Sequence, residues 1–279
     1  MHLLGIDFED WFHPELIKKN LKNEKKEPTV VNGIDKILDW LNKNDTLATF
    51  FVVGELFEFK PELIDKINSN GHEIGFHTMH HNNLADPGFR EKFEDELKKF
   101  DKITNGKSKG FRAPTFSLNT STSWAIDLLE KNGYAYDSSI MPAKTNMYGI
   151  PNASKHPYRI SENDLEKNSS KSKLIEFPLL TTKFLGRKIP AAGGFYLRTL
   201  PQKIIENAIK DCEKQNIPAT FYIHSWELTP EFMKKVSLPK KDSFVTYHNL
   251  DKAFSRMDKI IKKFKFSSFS DYLENYSIN

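Results

Sequence analysis

The sequence predicts an α/β fold in which about seven parallel strands form a distorted (β/α) barrel, similar to a TIM barrel. Its 279 residues, 38% of them apolar, can fill the core of one large domain. Short apolar runs alternate with amphipathic stretches, which indicates strand-then-helix units joined by right-handed crossovers. The run LATFFVV at 47–53 is typical of a strand buried on both faces, as in a parallel sheet.

The elements follow from apolar spacing and from turn residues. Apolar residues three or four positions apart indicate helices, and Pro61 and Gly71 mark the first turn and the end of one of them. We expect strands at 3–8, 47–53, 72–76, 110–112, 134–136, 174–180, 219–224 and 266–269. We expect helices at 34–41, 61–70, 87–103, 120–133, from 201 to about 209, and at 250–261.

Residues 143–171 interrupt this alternation. The segment is rich in Asn, Ser, Lys and Pro and has little periodicity, which favours an irregular excursion or long loop. We therefore predict a single domain over residues 1–279 with an irregular insertion near 143–171.

Composition excludes several classes of protein. Lys plus Arg is 41 and Asp plus Glu is 37, so the net charge of +4 gives no concentrated basic surface for nucleic acid. The single cysteine, Cys212, excludes an intrachain disulfide. No apolar run approaches the ~18 residues of a membrane span, and the start MHLLGIDFEDWFH lacks the basic region of a signal peptide. We expect a cytoplasmic protein, whose oligomeric state the sequence leaves unknown.

Acids and imidazoles concentrate where strands are expected to end. Active sites of parallel α/β folds form at the carboxyl ends of strands. The residues at these ends are Asp7, Glu9, Asp10, His77, His81, Arg112, Asp137, His224, Trp226 and Glu227. This distribution predicts one polar site at the mouth of the barrel.

The HTMHH segment predicts a metal site. His77 and His81 are four residues apart, so one helical turn would place both rings on one face. Two histidines and one carboxylate leave coordination positions open for water and substrate. Zn²⁺ is the first candidate, although the same ligands suit Fe, Co or Mn. A second carboxylate near the metal could act as general base. The ordinary alternatives are exposed or capping histidines and helix-capping acids.

Three further residues have a functional and an ordinary interpretation. Arg112, in GFRAP, could orient an acid in the site or lie on the surface. His224 could protonate a leaving amine or be a satisfied core histidine. Trp226 could be a platform for a sugar face or a core residue.

Taken together, these segments resemble the polysaccharide deacetylases of the NodB-homology type, the family-four carbohydrate esterases. The similarity spans roughly residues 3–230, and two further segments resemble the bacterial exopolysaccharide branch of that family. The general matches are IDFEDWF at 6–12, ATFFVVGEL at 48–56, GHEIGFHTMHHNNL at 71–84, GFRAPTFSL at 110–118, YAYDSSIMP at 134–142 and TFYIHSWEL at 220–228. The branch matches are MYGIP at 147–151 and EFPLLTTKFLGRKIPAAGGFYLR at 176–198.

The resemblance implies a metal-dependent hydrolase that removes N-acetyl groups from the amino sugars of an N-acetylated carbohydrate, as in exopolysaccharide biosynthesis. Carried over by position, it implies a divalent metal, most readily zinc, on Asp10, His77 and His81. Arg112 would orient the catalytic carboxylate and His224 would be the general acid. Expected substrate contacts are Phe51, Phe116, Asp137, Tyr196 and Trp226.

One departure from the family pattern leaves the roles of the acids open. The family usually has two adjacent aspartates, where this chain has Glu9 and Asp10 with Asp7 two residues earlier. Either Asp7 or Glu9 could be the base, and Glu9 could displace Asp10 as ligand, although Asp10 is favoured.

Two other functions are alternatives. The first is an amidohydrolase of the same fold that acts on a non-sugar amide or a formylated amino sugar. The second is a carbohydrate-binding protein without turnover. Acetate release from N-acetylated oligosaccharides would indicate deacetylation, whereas formate release or ring opening would indicate the first alternative.

Overall fold

A computed structural model describes residues 1–21 and 24–275. Its strands are β1 (His2–Phe8), β2 (Thr49–Val52), β3 (Glu73–Phe76), β4 (Gly110–Phe111), β5 (Tyr136–Asp137), β6 (Tyr158–Arg159), β7 (Ile175–Glu176), β8 (Thr181–Phe184), β9 (Arg187–Pro190), β10 (Thr220–His224) and β11 (Phe266–Ser267).

The α-helices are α1 (Glu15–Lys18), α2 (Ile34–Lys43), α3 (Glu55–Phe59), α4 (Glu62–Ser69), α5 (Arg90–Ile103), α6 (Trp124–Lys131), α7 (Gly194–Thr199), α8 (Gln202–Lys214), α9 (Ser225–Leu228), α10 (Lys240–Tyr247), α11 (Leu250–Ile261) and α12 (Phe269–Asn275). Short 3₁₀ turns lie at Val30–Gly33, Pro114–Phe116 and Pro230–Phe232. Among the described residues, no helix has both the length and the apolar character that crossing a membrane requires.

The main sheet is a curled set of parallel strands, which confirms the predicted fold class. Its order is β10-β1-β2-β3-β4-β5-β7, and every neighbouring pair in this series is parallel. Strand β11 adds beside β1, and β6 pairs antiparallel with β7 at the far edge. A parallel bridge from Leu179 to Thr220 links the segment after β7 back to β10. The seven parallel strands thus form a distorted barrel.

Alternate side chains of β1 point into the barrel. Leu3 belongs to a buried cluster with aromatic residues of β2 and β5 and of the C-terminal helix α12. Two residues further, Gly5 leaves room for Arg112, because a Cβ at this position would lie 2.5 Å from the Arg112 Nη1 atom. Asp7 follows at the mouth. The barrel therefore changes from apolar to charged towards the carboxyl ends of its strands.

The segment 143–171 is mostly irregular, as its composition predicts, and contains strand β6. Ala143, Tyr158, Ile160 and Leu165 are nevertheless buried, so the segment packs on the domain. Strands before and after this segment belong to the same main sheet. The assignment of residues 1–279 to one domain stays a prediction.

Candidate metal and catalytic site

One cavity at the mouth of the barrel collects most of the expected site residues. The ends of β1, β3 and β10 and the loop after β4 converge there because the strands are parallel. Site residues that line the cavity are Asp7, Glu9, His77, His81, Phe116, His224 and Trp226. The sequence prediction of a single polar site at this edge matches the arrangement of these side chains.

Glu9, His77 and His81 form a group with the geometry of a metal site. One ligand atom from each lies within 4.8 Å of the others, and all three side chains are buried. The Glu9 Oε2 and His81 Nε2 atoms are 2.8 Å apart. His77 Nδ1 is 2.7 Å from the Arg112 carbonyl oxygen, so a proton on Nδ1 donates to this oxygen and leaves Nε2 free as a ligand.

An unsatisfied carboxylate oxygen supports a cation in this group. Glu9 Oε2 and His81 Nδ1 are buried and have no hydrogen-bond partner in the described part of the chain. Despite its short distance to His81, the Glu9 oxygen receives no well-directed hydrogen bond. Buried polar atoms without partners are costly, and a bound cation would remove this cost at Glu9. One carboxylate and two imidazoles are ligands that Zn²⁺, Fe, Co or Mn accept.

The protonation states of the group also suit a metal. Burial lowers the pKa of His77 to about 4, so its ring is neutral at neutral pH. Burial alone would raise the pKa of Glu9, but its close contact with His81 and the charge of His224 outweigh burial and hold that pKa well below its usual value. Neutral imidazole and ionised carboxylate are the forms that bind metals.

Asp10 is not part of this group, which corrects the favoured ligand assignment. Its Oδ1 accepts hydrogen bonds from the backbone N–H groups of Trp11 (2.8 Å) and Thr29 (3.0 Å). Its Oδ2 accepts one from the Val31 N–H at 3.2 Å. The carboxylate is fully buried and fastens the loop after β1 to the segment at 29–31. Glu9, which the sequence left open as the alternative ligand, lies next to His77 and His81 instead.

Asp7 is held by Arg112 on the floor of the cavity. The Arg112 Nη1 donates to Asp7 Oδ1 at 2.7 Å, and both side chains are buried. The rest of the guanidinium donates to Ser138, through Nε to the carbonyl oxygen at 2.9 Å and through Nη2 to the hydroxyl at 2.8 Å. The centroid of the Phe51 ring lies 4.1 Å from the Cζ atom of the guanidinium. All of these contacts fix the Asp7 carboxylate in orientation and keep a positive charge beside it.

His224 lies beside Asp7 on the neighbouring strand, because the two residues are register partners on β10 and β1. Its Nδ1 is 2.7 Å from Glu227 Oε2, and its ring stacks on Trp226 at a centroid distance of 4.7 Å. Its Nε2 faces the site, 3.7 Å from Glu9 Oε1. Burial would lower the pKa of His224, but the Glu227 carboxylate outweighs burial and raises it to about 9. This histidine is therefore protonated at neutral pH.

Glu227 and Arg198 form a second buried ion pair behind His224. Arg198 Nε donates to Glu227 Oε1 at 2.7 Å, and both side chains are almost fully buried. Arg198 also donates through Nη1 to the His248 carbonyl oxygen and through Nη2 to that of Val245. The sequence analysis placed Glu227 in a matched motif without giving it a role, and it overlooked Arg198. The His-x-x-Glu spacing at 224–227 was the available signal for Glu227.

Three expected substrate contacts lie outside the cavity. Asp137 is fully buried, where its carboxyl pairs with that of Glu176 and accepts a hydrogen bond from the Ser139 hydroxyl at 2.5 Å. Phe51 packs inside the barrel against Arg112. Tyr196 lies on α7 but does not line the cavity, whereas its neighbours Gly194 and Phe195 do. The assignments of Asp137 and Phe51 are corrected, because both side chains are directed into protein, whereas the assignment of Tyr196 stays a prediction.

Comparisons with known proteins identify the family. Residues 27–136 match the polysaccharide deacetylase family, and residues 138–274 match a domain of unknown function, DUF3473. A peptidoglycan-N-acetylglucosamine deacetylase of Bacillus cereus is 34% identical over 97 residues, which are 33% of this chain and 35% of that protein. A peptidoglycan deacetylase of Helicobacter pylori is 28% identical over 178 residues, which are 58% of this chain and 60% of that protein.

A solved structure supports the fold. The crystal structure of a putative polysaccharide deacetylase from Mycobacterium smegmatis matches with a TM-score of 0.56 at 17% identity. The match covers 98% of this chain and 89% of that one, so it shows a shared fold. By contrast, the first curated relative is matched over only about a third of its length. The polysaccharide deacetylase family expected from the motifs is confirmed by the match over residues 27–136, whereas its exopolysaccharide branch stays a prediction.

Proposed function

We propose that this chain, which carries a polysaccharide deacetylase domain, uses a divalent cation to remove N-acetyl groups from amino sugars of a polysaccharide or surface glycan. One observation carries the proposal. Two protein groups of opposite function, the Asp7 carboxylate and the protonated His224, flank the Glu9–His77–His81 group in a single cavity. Amide hydrolysis needs a proton acceptor and a proton donor in this arrangement.

Glu9, His77 and His81 would hold the cation. When bound, it would supply Lewis-acid chemistry, lowering the pKa of water and polarising an amide carbonyl. Zn²⁺ is the first candidate for this ligand set. Asp10 has no part in binding, because its oxygens are occupied by backbone donors.

Asp7 is the proton acceptor in this proposal. It accepts a proton from the attacking water while the water oxygen bonds to the acyl carbon of the acetamide. Arg112 keeps the carboxylate oriented, and its Nη1 contact leaves the other Asp7 oxygen available to the cavity. Asp7 rather than Glu9 takes this role, since Glu9 is directed to the two histidines.

His224 is the proton donor. As the C–N bond breaks, its Nε2 proton passes to the sugar nitrogen, so that the products are acetate and a free amine. Glu227 accepts from Nδ1 and keeps the ring in the tautomer that presents Nε2–H to the cavity. Trp226 and Phe116 give the cavity an apolar lining against which a sugar ring could pack.

The relatives guide the choice of substrate. Their names specify peptidoglycan N-acetylglucosamine and chitooligosaccharide. We therefore propose a glycan containing N-acetylglucosamine, and the branch motifs at 147–151 and 176–198 favour an exopolysaccharide.

Acetate release from N-acetylglucosamine oligomers tests this proposal. The cation-supplemented protein should release acetate and generate free amines in equal amounts, whereas Asp7→Asn should not. His156→Ala, at an exposed position outside the cavity, is the matched control and should retain full activity. Formate release from a formylated amino sugar, or hydrolysis of a non-sugar amide, without acetate release would replace the proposal with the amidohydrolase alternative.

A further inference from the structure

A two-stranded hairpin outside the barrel exposes large apolar side chains at its tip. Strands β8 and β9 pair antiparallel, with Thr181 opposite Pro190 at the base and Phe184 opposite Arg187 at the tip. The base is buried, whereas Leu185 at the turn is 86% exposed. Phe184 beside it is also exposed. Exposed apolar side chains next to each other often mark a binding surface.

The turn itself uses an unfavourable residue. Leu185 and Gly186 both have positive φ, 49° and 75°, which is the pattern of a type I′ turn. Asn-Gly is the preferred sequence for such a turn, and a leucine in the left-handed region is strained. Leu185 gains no burial within the chain to offset this strain. A strained and exposed leucine therefore indicates a partner outside the chain.

A ring of basic residues surrounds the tip. Lys183 and Lys188 are directly opposite each other on the two strands, an arrangement of like charges that disfavours pairing. Arg187 lies between them and the turn. Burial lowers the pKa of Lys188, and the nearby charges of Lys155, from the insertion, and Lys183 lower it further. None of these four cations forms an ion pair with an acid within residues 1–21 and 24–275. The positive charge is left for an anionic partner.

We propose that the β8–β9 hairpin docks the protein on an anionic membrane surface, with Phe184 and Leu185 inserted among the lipids. An exposed apolar tip within a basic ring matches a bilayer that is apolar inside and negatively charged at its surface. A soluble polyanion would pair with the basic residues but would give no reason for an exposed leucine. A second copy of the chain would carry the same positive charge.

The hairpin is connected to the active-site cavity. Lys188 Nζ donates to the Pro151 carbonyl oxygen at 2.7 Å. The same insertion contributes Met147 and Tyr148 to the cavity lining a few residues earlier. Beyond the other end of the hairpin, Gly194 and Phe195 also line the cavity. Docking through the hairpin would thus hold the cavity at the membrane and favour a glycan that is presented there.

Vesicle co-sedimentation of the full-length protein tests the proposal. The protein should bind vesicles of phosphatidylcholine mixed with phosphatidylglycerol and not those of phosphatidylcholine alone, and binding should weaken as salt is raised. Leu185→Asn should weaken binding about tenfold, because it removes an inserted apolar side chain. Lys183→Gln and Arg187→Gln should each weaken it about fivefold.

The Leu185→Asn variant distinguishes an effect on membrane docking from an effect on folding. Asparagine suits the type I′ turn, so the thermal unfolding temperature should stay the same or rise. Phe59→Asn removes an exposed phenylalanine from α3 and should bind vesicles like wild type. Equal binding by wild type and Leu185→Asn would overturn the proposal. Equal binding to neutral vesicles, or a Leu185-dependent dimer without lipid in sedimentation velocity, would also overturn it. Acetate release from soluble oligomers should be unchanged in Leu185→Asn, so this result is independent of the proposed function.

Discussion

The N-terminal and C-terminal parts of the chain contribute to the site in different ways. Up to residue 136, regular strand and helix units place Asp7, Glu9, His77 and Arg112 at strand ends and His81 in the loop after β3. From residue 138, an irregular segment and the β8–β9 hairpin interrupt the alternation of strands and helices. That part contributes His224 from a strand end, but it supports this histidine with a buried pair, Glu227 and Arg198, from two helices. Strand ends thus bring most of the proposed site residues to one cavity, whereas the supporting contacts depend on tertiary packing.

The largest expected effect distinguishes Glu9 from the adjacent Asp10 in the N-terminal part of the chain. Glu9→Gln should lose tight cation binding and reduce activity to background, since even outer contacts of a metal site are worth about 10–100-fold. Isothermal titration with Zn²⁺ and acetate release measure both effects.

Asp10→Asn is the matched control for Glu9→Gln. It should bind the cation normally but unfold more easily, by roughly 1–3 kcal/mol, because an amide nitrogen would face backbone N–H donors. Loss of cation binding in Asp10→Asn with normal binding in Glu9→Gln would reverse the assignment.

The next largest effect is expected at the proton acceptor. Asp7→Asn should lower kcat by about 10²–10⁴-fold, the usual contribution of general base catalysis. Cation binding should remain, because Asp7 is not in the Glu9–His77–His81 group. A kcat within a few-fold of wild type would exclude Asp7 as the base.

A smaller effect is expected in the second part, at the residue that positions His224. Glu227→Gln should lower kcat by about 10–100-fold with little change in KM, because Glu227 orients the proton donor without lining the cavity. Glu227→Asp should recover part of the activity. An increase in KM at constant kcat would instead indicate that Glu227 shapes the binding of substrate.

The smallest effect concerns stability. Burial and the neighbouring Asp137 carboxyl raise the pKa of Glu176 well above 4.5. Between the unfolded and folded pKa values the folded chain binds the extra proton, so the contribution of Glu176 to stability is fully present below the unfolded pKa and is lost as pH rises through the folded pKa. Glu176→Gln should flatten this dependence in urea unfolding measured over a pH series. An unchanged slope would show that Glu176 titrates normally.

The fold could be predicted well because its determinants are local. Apolar runs such as 47–53 identify buried parallel strands, and turn residues such as Gly71 and Gly133 identify helix ends. The HTMHH segment also pointed to both histidines, but the expected helical turn is wrong: residues 77–81 form a loop in which Thr78 and His81 have positive φ. Closure of the sheet through Leu179 and Thr220 joins distant segments, and no local pattern of residues predicts it.

The sequence analysis was wrong about Asp10 for a physical reason. Adjacent residues at a strand end point in different directions, and the family pattern gave position without direction. Glu9 points to the histidines, while Asp10 points to backbone donors at 29 and 31. Asp137 was also assigned to the cavity because it lies at a strand end. Like Asp10, it is fully buried.

The most direct test of the central claim is an anomalous diffraction map from crystals grown with Zn²⁺. We expect one strong peak bonded to Glu9, His77 and His81 at the usual ~2.0–2.2 Å. The Asp10 carboxylate should remain on the backbone N–H groups of Trp11, Thr29 and Val31. A peak bonded to Asp10, or one at a site away from the two histidines, would contradict the account.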